Sequence, residues 1–190
     1  MVITKFNLLF SSVLLSAVLM AYFIIIAPSD EGAKLWTKYS AHLSFIYLFV
    51  AYSVGTLTKY FAFKPIIHLA KNRRYIGLSF SITHSIHLIA IVYFFTTTSE
   101  QPSIISIIGG GLGYLLMYAM TLTSTDAMVE RMGIQRWKML HTIGINYLMI
   151  IFFITFVGSI FVTSIYSIHG IYVLAILFIW LLKLRTLINR

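Results

Sequence analysis

The chain has 190 residues, 59% of them hydrophobic and only 10% charged, with a mean hydropathy of +0.92. A soluble domain is roughly half apolar and about a quarter charged, so this balance belongs to an integral membrane protein. Cysteine is absent, which excludes disulfides, thiolate chemistry, iron–sulfur clusters and cysteine-based zinc sites, and the formal charge of +9 sits between apolar runs rather than in a nucleic-acid-binding patch.

Six apolar runs approach the 20 or so helical residues that a bilayer core requires. The first, Phe6–Ile26, follows a single Lys5. It is longer than a signal-peptide core and lacks a small-x-small cleavage site, so it reads as a retained helix. The second, Ala41–Phe61, follows a polar stretch holding Asp30, Glu31, Lys34 and Lys38. The third, Tyr75–Phe95, contains SITHSIHL with His84 and His87; the fourth, Ile104–Leu122, contains GGGLG. The fifth, Trp137–Ile160, carries His141 near its start, and the sixth is Ile168–Leu184. The pattern predicts an all-α, six-helix membrane bundle forming a single domain over residues 1–190, with no room for a soluble nucleotide-binding domain.

Loop charge predicts the orientation. With the N-terminus inside, the cytoplasmic segments hold twelve of the fourteen basic residues, leaving only Lys34 and Lys38 opposite, beside Asp30, Glu31 and Glu100. Both termini are therefore expected in the cytoplasm. Trp36 and Tyr39 on one side, and Tyr75 and Trp137 on the other, suit interfacial aromatic belts.

Ionisable groups inside a bilayer usually line a pathway or bind something. His84 and His87 stand at i and i+3, so both can face the interior of a bundle. His141 enters from the same side, and no span holds an aspartate or glutamate. A proton relay would recruit carboxylates, and a zinc hydrolase would need more ligands and a general base. Neutral imidazoles on two apolar helices suit axial coordination of haem iron; histidines that only hydrogen-bond between helices are the alternative. The glycine cluster lacks the Lys-Ser/Thr of a phosphate loop, and Gly109 with Gly113 forms a GxxxG that lets a helix or flat ligand come close. The basic stretches KNRR, residues 71–74, and ERMGIQRWK, residues 130–138, serve topology and anionic-lipid contact, or else dock a flavin, a haem propionate or an acidic partner.

Two stretches, RRYIGLSFSITHSIHL at 73–88 and TSTDAMVERMGIQRWKMLH at 123–141, resemble the ferric reductase-like transmembrane domain family. Within it, they are most similar to the haem-binding membrane subunits of bacterial methionine-sulfoxide reductase systems. The shared pattern is Arg73, Arg74, Gly77 and Leu78 opening the third helix, with His87 in its far half. Thr123 and Ser124 close the fourth helix, and Met132 and Gly133 precede Trp137, Leu140 and His141. The resemblance implies a b-type haem held by histidines of the third and fifth helices, passing electrons across the membrane. It departs at Ile154, where relatives carry a second fifth-helix histidine, so one haem is expected rather than two.

The expectation from sequence is thus a multi-pass protein of the bacterial inner membrane, acting as the electron-transfer subunit of a reductase system without its own NAD(P)H domain. His141 and one of His84 or His87 would be the metal ligands, with Arg73, Arg74 and Arg136 near a cofactor. FMN or a quinone could accompany the haem. The electron donor would be a quinol, a flavin or a separate reductase, the acceptor is open, and nucleic acid is not a partner. The rival expectation is a non-redox scaffold or transport accessory that kept the fold without the cofactor.

Overall fold

The computed structural model describes residues 5–26 and 29–189, and all regular structure among them is helical. The elements are α1 (Lys5–Ala21) with a π-helical turn (Tyr22–Ile26), α2 (Asp30–Tyr60), α3 (Lys64–Lys71), α4 (Arg73–Thr97), α5 (Ile104–Leu122), α6 (Asp126–Met132), α7 (Ile134–Val162) and α8 (Ile168–Ile188). Six of these, α1 with its π turn, α2, α4, α5, α7 and α8, are long and apolar enough to cross a membrane. The protein is all-α and its environment is the lipid bilayer. Its many exposed leucines, isoleucines and phenylalanines are what a lipid-facing surface requires.

Five of the six spans lie within a few residues of their sequence-based positions. The second differs most: α2 begins at Asp30, eleven residues before the apolar run. The Ser29 hydroxyl accepts the Gly32 N–H at 3.0 Å, and Asp30 and Glu31 occupy the first turn, where carboxylates favour the helix dipole. The polar stretch read as a loop is therefore capped helix. At 31 residues α2 is about 46 Å long, well beyond a hydrocarbon core of about 30 Å. Trp36 is not an interfacial belt residue. It is only 1% exposed and packs with Phe23 and Ala90, with the Tyr93 ring edge-on at 5.6 Å.

Two short helices, α3 and α6, were not foreseen. In α3, Pro65 stands in the first turn, where a missing N–H costs nothing. In α6, the Thr125 hydroxyl accepts the Met128 N–H at 3.2 Å, and Asp126 follows in the first turn. Gly133, at φ +80°, separates α6 from α7, a conformation that side chains with a Cβ rarely adopt.

The chain divides into two compact units, one built from the residues up to Ala51 with Lys71–Leu112, the other from Tyr52–Ala70 with the residues from Gly113 onward. In the first unit α1 packs along α4. The buried side chains of α4 include Ile76, Ser79, Phe80, Thr83, His84, His87 and Ala90, a stripe at helical spacing. Its serines and threonines satisfy themselves on backbone: Thr83 donates to the Ser79 carbonyl at 3.0 Å, and Ser79 reaches across to the Leu8 carbonyl at 3.2 Å. Such small polar residues let helices approach closely without stranding a polar group.

In the second unit α7 packs along α8. The core is Met117, Leu148, Met149, Phe152, Phe156, Ile176 and Ile179. Of the GxxxG pair, Gly113 is buried and packs near α7, where an added Cβ would lie 3.4 Å from the Leu148 side chain, an ordinary contact distance. Gly110 and Gly111 have nothing within 4 Å of that position.

Candidate functional site

Residues of α2 and α4 in the first unit form a run of polar contacts between antiparallel helices. Thr37 donates to the Ala90 carbonyl at 3.1 Å. One turn on, the Ser40 hydroxyl lies 2.9 Å from His87 Nδ1; one turn further, Ser44 lies 3.1 Å from His84 Nδ1. Both histidines are 8% exposed, with ring centroids 5.2 Å apart. The Phe80 ring stacks on His84 at 5.1 Å, and the His42 side chain is buried on the same stretch of α2.

Each serine hydroxyl lies between a ring nitrogen and a backbone carbonyl of its own helix. Ser40 donates its one proton to the Thr37 carbonyl at 3.1 Å, and Ser44 donates to the Ala41 carbonyl at 2.9 Å. A hydroxyl that donates to the carbonyl accepts from Nδ1–H of the imidazole beside it. Metal-bound imidazoles are oriented in this way, with one ring nitrogen held by a hydrogen bond to a neighbouring group. The donor set fits axial ligation of a haem iron.

His141, in the second unit, is half-buried. Its Nε2 lies 3.3 Å from the Thr123 hydroxyl, and the Trp137 ring packs against it at 4.2 Å. Trp137 Nε1–H donates to the Thr123 carbonyl at 3.0 Å. The Thr-Ser that closes α5 and the Trp-x-x-Leu-His that opens α7 are thus one local assembly. Gly133 provides the turn between α6 and α7 within it. Ile154 is an exposed side chain on α7.

The three arginines differ. Arg73 directs Nε–H to the Ala51 carbonyl at 2.7 Å, so part of its guanidinium is committed within the protein. Arg74 and Arg136, like Arg73, are exposed, and Arg74 also interacts within the protein. Among the described residues no group of three or more histidine, cysteine, aspartate or glutamate side chains is arranged to hold a bare metal ion. A haem, whose four equatorial ligands come from the macrocycle, needs only one or two protein ligands.

Sequence reasoning did not single out Ser40, Ser44 or His42. Ser40 and Ser44 are spaced i, i+4, which puts them on one face of α2 opposite an i, i+3 histidine pair on a neighbouring helix. That pairing was visible in the spacing. It was hidden because Ser40 stood outside the apolar run read as the second span. Comparison with known proteins gives no relative: no protein-family model, no curated protein and no solved structure matches this chain.

Proposed function

We propose that this protein is a membrane b-type haem protein acting as the electron-transfer subunit of a reductase system in a bacterial inner membrane. The observation that carries the reading is the pair of buried imidazoles, His84 and His87, each oriented through Nδ1 by a serine of α2, Ser44 and Ser40. The ligand candidates are one of His84 and His87, together with His141, the latter resting on the family resemblance. A bound haem would supply one-electron chemistry. The chain's own residues orient the imidazoles and exclude water around them. Arg74 and Arg136 are the candidates for an anionic cofactor group, with FMN or a quinol as electron source. With both termini cytoplasmic, the loop-charge bias is satisfied.

The same Ser–His bonds tie α2 to α4, which is all that a scaffold or transport accessory would need, and Ile154 in place of a histidine favours that second reading. A visible spectrum separates the two. Protein purified after expression with ample haem is expected to show a Soret band that sharpens and shifts on dithionite reduction. Colourless protein would favour the scaffold.

A further inference from the structure

A cavity of about 170 Å³ opens in the second unit between the C-terminal turns of α2 and α8, lined by Thr56, Lys59, Lys183, Thr186 and Leu187. The helices present complementary triplets there, Thr56-x-x-Lys59 on one and Lys183-x-x-Thr186 on the other, so both pairs face the same space. The Tyr60 hydroxyl closes the end of the cleft, donating to the Leu182 carbonyl at 2.9 Å and lying 3.1 Å from Thr186 Oγ1.

Lys183 is held rather than free to sweep. Its ammonium sits over the Tyr52 ring, 3.1 Å from the centroid. That ring is fixed by two hydrogen bonds: Trp180 Nε1–H donates to the Tyr52 hydroxyl at 2.9 Å, and the hydroxyl donates to Asn146 Oδ1 at 2.9 Å. Lys59 is exposed and reaches the same space from the other wall. No carboxylate belongs to the lining. Positive-inside topology asks only for lysines near a helix end, not for two of them facing one cleft with two threonines. A cavity of this size lies below the roughly 300–1,000 Å³ of sites for drug-sized ligands, so its occupant is a small group.

We propose that this cleft binds a phosphate-bearing anion through the two ammonium groups, while Thr186, whose hydroxyl donates to the Leu182 carbonyl at 2.8 Å, only shapes the wall. Two sources carry that chemistry, the headgroup of an anionic phospholipid and free phosphate. Leu187 in the wall, itself an exposed apolar side chain, suits an acyl chain, which favours the lipid. The proposal stands apart from haem binding.

The test uses the full chain, delipidated in an uncharged detergent and titrated with short-chain phosphatidylglycerol, short-chain phosphatidylcholine and inorganic phosphate, with binding read by calorimetry. Phosphatidylglycerol is expected to saturate one site. The Lys59→Gln/Lys183→Gln variant should weaken it roughly thirtyfold, about 2 kcal/mol at about 1 kcal/mol per lysine. Lys59→Gln alone changes only an exposed side chain, and should weaken it about fivefold even where the double variant does not fold. Inorganic phosphate binding as tightly as the lipid, and lost in the same variants, would identify free phosphate as the ligand. Phosphatidylcholine binding as tightly as phosphatidylglycerol would overturn the proposal. So would the absence of saturable phosphatidylglycerol and phosphate binding, or affinities unchanged in Lys59→Gln.

Discussion

Removing one serine hydroxyl at a time asks which α4 histidine serves as an iron ligand. Ser40→Ala takes away the acceptor 2.9 Å from His87 Nδ1, and Ser44→Ala the one 3.1 Å from His84 Nδ1. As structural hydrogen bonds inside a membrane protein, each is worth about 0.6 kcal/mol on average and about 1.7 kcal/mol at most. As support for an iron-bound imidazole the effect is larger: loss of an orienting partner typically costs 10–100-fold in metal affinity or activity, about 1.4–2.7 kcal/mol. The serine paired to the liganding histidine should therefore lower haem retention by roughly tenfold or more under haem competition, while thermal unfolding shifts little. The other serine should leave retention nearly unchanged. Haem content after competition with an apo-haem scavenger, read as the pyridine haemochrome, gives the measurement. If His84→Ala or His87→Ala abolishes haem while neither serine variant alters its retention, the hydrogen-bond argument is refuted.

His141→Ala is expected to abolish or greatly reduce haem content; full retention would refute its assignment as a ligand. Reporter fusions after Asp30, Glu100 and Ile165 should read as external and those after Pro65, Glu130 and Arg190 as cytoplasmic; a cytoplasmic signal at Glu100 would overturn the orientation. Gly170→Ala should destabilise the second unit by about 1–3 kcal/mol in detergent unfolding, because a Cβ there runs into the Ile165 backbone carbonyl, which cannot rotate away. Gly111→Ala, with nothing near its Cβ position, is the matched control, and equal stability of the two variants would contradict the packing. Replacing Arg74 and Arg136 together should slow haem reduction while preserving its spectrum; unchanged rates with quinol and flavin donors would leave these residues a topological role.

The six apolar runs and the all-α class were legible because bilayer insertion is decided by composition over about 20 residues, a property local to each run. The histidine pair was legible too, since an i, i+3 spacing determines that both rings share a face. What the sequence could not settle is what that face meets. Ser29 capping a polar helix turn moved the start of α2 back to Asp30, and only that extension aligned Ser40 with His87. Trp36 reads as an interfacial residue by type, yet lies buried against Phe23 and Ala90 because α2 continues as helix through it. Arg73 reads as a free cation and is partly committed to the Ala51 carbonyl. The cleft of Lys59 and Lys183 joins residues more than a hundred positions apart, and no local pattern brings them together. The pairing of His84 with Ser44 and of His87 with Ser40 depends on helix register and helix packing at once. Periodicity fixes the face a residue occupies; only the packing of one helix against another decides its partner.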